Sequence, residues 1–128
     1  MYYKKKILLI DDEEDFCFFV KNNLMATGEF TVDYTTNPNK GIKIARKSRP
    51  DLILLDILMP RKDGFKVLGI LKKNLKTMTI PVIMLTAVGD DSAKIKASSL
   101  FNEDYIVKPV DHHNLKRRID EVLRARGG

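Results

Sequence analysis

The sequence predicts an α/β fold: a five-stranded parallel sheet in the order 2-1-3-4-5, doubly wound as a (βα)5 unit. Five short apolar runs recur roughly every 25 residues: Ile7 to Ile10, Phe30 to Tyr34, Leu52 to Leu55, Ile80 to Leu85, and Tyr105 to Val107. Segments of helical periodicity fill the gaps, and that alternation reads as successive βαβ units under a sheet covered on both faces. The runs also differ in character. The first and third are apolar throughout, as strands buried on both faces should be, whereas Phe30-Thr31-Val32-Asp33-Tyr34 alternates and belongs at an edge. The fifth run is short and precedes Pro109, which suits the opposite edge.

Taken in order, the first strand is followed by a helix starting near Asp12, on which Phe16, Val20 and Leu24 share one face while Phe18 and Met25 fall nearly opposite. After the edge strand, Asn37-Pro38 supplies an N-cap and a first-turn proline for the second helix. Asp111 caps the final helix, where Leu115, Ile119 and Val122 recur at helical spacing. His112 and His113 are adjacent, so on a helix they are expected to point apart, which disfavours a metal site. Gly127-Gly128 frays the end.

A chain of 128 residues with 44% hydrophobic content can bury one core, and residues 1–128 are expected to form a single domain. No apolar run approaches the ~18 residues that span a bilayer, and the N-terminus lacks the apolar stretch of a secretory signal, so the expectation is a soluble, cytoplasmic chain. The lone Cys17 cannot form an internal disulfide and reads as a small apolar helix residue. Lys and Arg outnumber Asp and Glu by 23 to 17, an excess that could attract nucleic acid. The basic residues are scattered apart from Lys4 to Lys6 and the last segment, where a solvated helix face is the better explanation.

In an open parallel sheet, functional groups gather beyond the carboxyl ends of the strands, where the strand order reverses. There the first run ends in Asp11-Asp12, the third in Asp56, the fourth in Thr86 and the fifth in Lys108. With strands 1 and 3 as neighbours about 4.8 Å apart, the three carboxylates converge. Their repulsion calls for a cation, and hard oxygen ligands suit Mg²⁺. Helix capping explains Asp12 alone but not the triplet. The acidic run 11–15 would repel a bare phosphate, and no GxGxxG or GxxxxGK[ST] motif follows the first strand, which argues against a nucleotide site. What remains is a carboxylate attacking phosphorus, with Asp56 as the candidate nucleophile and a metal, the Thr86 hydroxyl and the Lys108 ammonium neutralising the transferred group. Lys108 starts two strands away, but its stem can span much of that gap.

The segments Ile7 to Glu13, Pro50 to Pro60 with Asp63-Gly64-Phe65, Pro81 to Ala87, and Asp104 to Pro109 closely resemble the CheY-like receiver domains of two-component response regulators, in family order and spacing over nearly the whole chain. The resemblance implies a flavodoxin-like fold. It implies that Asp11, Asp12, Asp56 and the backbone carbonyl of Leu58 bind Mg²⁺, and that Asp56 receives phosphate from a sensor histidine kinase or phosphotransfer protein. It further implies a switch in which Thr86 moves to the phosphoryl group and Tyr105 turns inward, and a cis Lys108-Pro109 bond. Such a domain catalyses only its own phosphorylation and dephosphorylation, and acts on a downstream effector protein or domain.

The chain departs from the family before Tyr105, where Ser98 to Glu103 replaces the usual Gly-Ala. Leu58 and Val88, two positions after Asp56 and Thr86, are apolar and cannot orient an attacking water, so slow self-hydrolysis is expected. Phe18 and Met25 could dock a partner kinase's helical bundle or be incidental surface residues. No effector domain is visible after the final helix, which fits either a single-domain regulator or a receiver from a longer protein. A haloacid-dehalogenase-like phosphatase wants a second Asp where this chain has Leu58, and a pseudo-receiver would lack site residues that are present here.

Overall fold

In the computed structural model, residues 3–60, 62–87 and 104–126 are described. They form β1 (Lys5–Ile10), α1 (Glu14–Ala26), β2 (Phe30–Thr35), α2 (Pro38–Ser48), β3 (Leu52–Asp56), α3 (Gly64–Lys73), β4 (Val82–Thr86), β5 (Asp104–Val107) and α4 (His112–Ala125). The strands pair in parallel in the order β2-β1-β3-β4-β5, as the edge and centre patterns predict. The segment expected to carry a helix between β4 and β5, including Val88 and the Ser98 to Glu103 departure, lies outside the described residues.

Because side chains alternate across a strand, each central run feeds two cores. Ile7, Leu9, Leu52, Leu54, Ile83, Leu85 and Ile106 point to the face covered by α1 and α4. Leu8, Ile10, Ile53, Leu55, Val82 and Met84 point to the face covered by α2 and α3. Fully buried aliphatic side chains each stabilise by about 1.5–3 kcal/mol, so both faces hold the strand register firmly. The pairing of Ile10 with Leu55 and of Asp56 with Leu85 sets the strand ends side by side.

Helix starts follow local hydrogen bonding. The Asn37 side chain accepts from Asn39 N and Lys40 N, with Pro38 opening α2, and Asp63 and Asp111 accept from Phe65 N and His113 N. α1 begins at Glu14 rather than near Asp12, because Asp11 Oδ1 accepts the Glu13 N–H at 3.0 Å and holds that stretch extended. The buried stripe of α1 is Cys17, Val20 and Leu24, with Phe16 partly buried at its margin. The rings of His112 and His113 lie 4.2 Å apart instead of diverging. Both sit in the first turn of α4, where no preceding turn restricts their rotamers.

The turn from β3 into α3 is folded back on the strand end. Gly64 N donates to Ile57 O at 2.7 Å, and a Cβ at Gly64 would fall within 2.7 Å of Ile57 Cα and closer still to the Asp56 carbonyl oxygen. Only glycine fits without moving backbone that carries Asp56. Gly69, in the same helix, has open space where a Cβ would be. Gly64→Ala should therefore lower stability by about 2 kcal/mol or more in urea denaturation, while Gly69→Ala should be neutral or stabilise by up to ~1 kcal/mol. Equal effects of the two changes would show that the close approach is unimportant.

Candidate functional site

Asp11 directly follows β1, Asp56 and Thr86 end β3 and β4, and Lys108 directly follows β5, so register and strand order deliver these groups to one edge of the sheet. Asp11, Asp56 and Thr86 are buried, and Asp12 is half-buried. Asp11, Asp12 and Asp56 each offer a carboxylate oxygen, all within 4.8 Å of one another. The side chain of Leu58, two residues beyond Asp56, is exposed. The Thr86 hydroxyl donates to the Ala87 carbonyl at 3.3 Å. Tyr105 lies on β5 with its side chain 39% exposed, and the Lys108-Pro109 peptide bond is cis.

Lys108 spans farther than the strand spacing alone suggests. Its Nζ stands 2.8 Å from Asp11 Oδ2, 2.9 Å from Glu13 Oε1 and 3.8 Å from Asp56 Oδ1. It also lies 4.4 Å from the centre of the Phe16 ring, within cation–π range. The ammonium is thus nearer to Asp11 and Glu13 than to Asp56. Glu13 is absent from the residues expected at the site; its one signal in the sequence is its place directly after the Asp pair.

Burial is the main force on these groups. It pushes the Asp56 carboxyl up to about 8, with the charges of Asp11 and Asp12 adding to it and Lys108 opposing. Asp11 is raised by burial against the pull of Lys108 and the Glu13 N–H. Burial works to lower the Lys108 pKa, but its contacts with Asp11 and Glu13 outweigh this and leave it raised. Beneath the site, the Cys17 thiol donates to the Asp11 carbonyl at 3.4 Å, and burial with the Asp11 and Glu14 charges pushes it up to about 12. Asp11 Oδ2 is buried without a hydrogen bond: Lys108 approaches it at ion-pair distance but without hydrogen-bond alignment. A buried, unsatisfied carboxylate oxygen within reach of two further carboxylates fits a hard divalent cation.

On the outer side of α1, Phe18 is 59%, Phe19 47% and Met25 41% exposed. Phe19 sits between the two faces of the helix, so helical periodicity alone assigns it to neither. With Phe16, Ala87, Pro109 and Val110 it lines a mostly apolar cleft that reaches Lys108.

The family model described as response regulator receiver domain matches residues 7–120. The chain is 37% identical over 119 residues to the "DNA-binding dual master transcriptional regulator RpaA" of Synechocystis, covering 93% of this chain and 49% of that protein. It is 32% identical over 120 residues to the "Alkaline phosphatase synthesis transcriptional regulatory protein PhoP" of Bacillus subtilis, covering 94% and 49%. The chain spans about half the length of the curated relatives it matches. Among solved structures, a putative response regulator from Chloroflexus aurantiacus superposes with a TM-score of 0.86 at 28% identity, over 95% of this chain and 99% of that one.

Asp56 carries a stability signature. Its folded-state pKa of about 8 lies above the ordinary 3.8, so between those values the folded chain binds more protons than the unfolded one. Without a metal, stability should therefore fall as pH rises from about 4 to about 8, then level off. Asp56→Asn should flatten that slope and be more stable at pH 8 by on the order of 2 kcal/mol. Urea denaturation at several pH values in a chelator checks this, and an unchanged slope in the variant would sink the assignment.

Proposed function

Because the chain belongs to the response regulator receiver domain family, we propose that Asp56 accepts a phosphoryl group from a sensor histidine kinase or phosphotransfer protein in a Mg²⁺-dependent reaction. The domain is a signalling module. The observation that carries the reading is the meeting of Asp11, Asp12 and Asp56, with the Asp11 oxygen unsatisfied and the Lys108 ammonium alongside. Asp11, Asp12, Asp56 and the Leu58 carbonyl would hold Mg²⁺, which supplies positive charge for the transferred group.

The Asp56 carboxylate attacks phosphorus, a P–O bond forms to Asp56, and the P–N bond to the donor histidine breaks, leaving the pair of electrons on the imidazole. Lys108 and the Thr86 hydroxyl neutralise charge on the equatorial oxygens. The exposed apolar side chain of Leu58 leaves no group at that position to orient a water, so self-hydrolysis is slow. The same contacts bias a two-state equilibrium: Thr86 moves toward the phosphoryl group and Tyr105, half out of the surface, turns inward.

Residues 1–128 act as one receiver unit upstream of an effector protein or domain, and the names of the matched relatives favour a transcriptional output. Direct nucleic-acid binding by this unit is disfavoured because three of the basic residues of α4 have acidic partners. Lys116 pairs with Glu29 and Asp120, Arg117 with Glu121, and Arg118 with Asp104. Among the described residues no helix is long and apolar enough to cross a membrane. On the strength of the receiver family, we assign the domain to the cytoplasm. Phe18 and Met25, joined by Phe19, form the face that meets the kinase's helical bundle beside the active site.

Incubation with acetyl phosphate and Mg²⁺ should add about 80 Da to the intact mass, one phosphoryl group, and Asp56→Asn or chelation should abolish it. No adduct on a folded chain that binds Mg²⁺ would point to a pseudo-receiver. Phe18→Glu should slow phosphotransfer from the kinase by about tenfold and spare acetyl phosphate. Equal loss with both donors would refute the docking role.

A further inference from the structure

We propose that Glu13 is a positioning residue that holds Lys108 back from Asp56 in the resting domain and competes with the phosphoryl group for the ammonium. The inference rests on Asp56 being the phosphoryl acceptor and deepens that reading.

Of the three carboxylates around Lys108 Nζ, Asp56 is the farthest, at 3.8 Å. The Glu13 contact, 2.9 Å, has hydrogen-bond geometry, whereas the Asp11 contact does not. Lys108 thus rests with its directional bond aimed at Glu13, and the Phe16 ring lies against it at 4.4 Å.

Why the Glu13 carboxylate is there follows from its place in the chain. Glu13 is the N-cap of α1, with extended backbone angles, and its side chain makes no capping hydrogen bond. Asp, Asn or Ser at an N-cap bends back to the helix amides, but Glu is one methylene too long to do so well. Its backbone is fixed instead, through Glu13 N to Asp11 Oδ1, and the longer side chain reaches Lys108. The residue gives up capping and holds the lysine.

A phosphoryl group on Asp56 brings oxygens that need the same ammonium. To serve them, Lys108 must release one carboxylate. Asp11 is buried and belongs to the cation-binding set, so its charge stays in the site. The Glu13 side chain is 62% exposed and can return to water at little cost. Release of Glu13 is therefore the step that frees Lys108, and removing Glu13 should speed phosphorylation.

The test is the rate of phosphorylation by acetyl phosphate, read by intact mass, in a double-mutant cycle of Glu13→Ala and Lys108→Ala. Glu13→Ala should react about fivefold faster than wild type, equivalent to ~1 kcal/mol. In the Lys108→Ala background the same change should give no gain, because nothing remains to be released. A merely structural Glu13, or one that simply repels the anionic donor, would act alike in both backgrounds, and that result would overturn the proposal, as would an unchanged rate in the single variant. Normal phosphorylation of wild type with no effect of Glu13→Ala would sink the latch alone, whereas no Asp56 adduct in wild type would sink the acceptor reading and the latch with it.

Discussion

Three carboxylates brought to the adjoining ends of β1 and β3 repel one another, and burial removes the water that would screen them. The local structure answers that repulsion. Lys108 crosses from β5 to set its ammonium beside Asp11, and the Glu13 amide donates to the other Asp11 oxygen. Even so, Asp56 remains hard to ionise and one Asp11 oxygen lacks a hydrogen bond. The site is under-neutralised by the chain's own groups, and that deficit is what a divalent cation would fill. Such a site stores electrostatic cost in the resting state and is stabilised when ligands arrive.

Holding the carboxylates in place despite their repulsion falls to the sheet. The parallel register fixes Asp11 and Asp56 on neighbouring strands, and each strand is pinned from both sides by separate aliphatic clusters. The β3–α3 turn adds a further constraint, with the backbone at Gly64 pressed onto the carbonyl of Asp56 itself. A rigid scaffold of this kind does not relax to relieve charge, so the energy of the site is available to be altered by ligands.

What is legible in a sequence here depends on how far a side chain reaches. Strand order follows from backbone-level signals: uniformly apolar runs at the centre and an alternating run at the edge. Asp11, Asp12, Asp56 and Thr86 are short side chains at strand ends, so their meeting follows from strand order alone. Lys108 and Glu13 are long, and where their tips lie depends on which partners the tertiary fold provides. Strand order alone accordingly sends Lys108 toward Asp56 and is blind to its shorter contact with Glu13. α1 starts at Glu14, two residues beyond Asp12, for a related reason, since the Asp11 carboxylate accepts from the Glu13 amide. Phe19 and the paired histidines depend on rotamers in the same way.

The buried face of α1 also has a consequence for chemical resilience. Cys17 lies under Asp11, with its thiol bonded to a carbonyl and its pKa near 12. At neutral pH almost none of it is thiolate, the form that reacts with peroxide, disulfides or electrophiles. The acidic charges that repel an incoming phosphate also suppress ionisation of the sulfur below them. The domain's sole cysteine is thus a poor target for oxidants and electrophiles, being both buried and protonated.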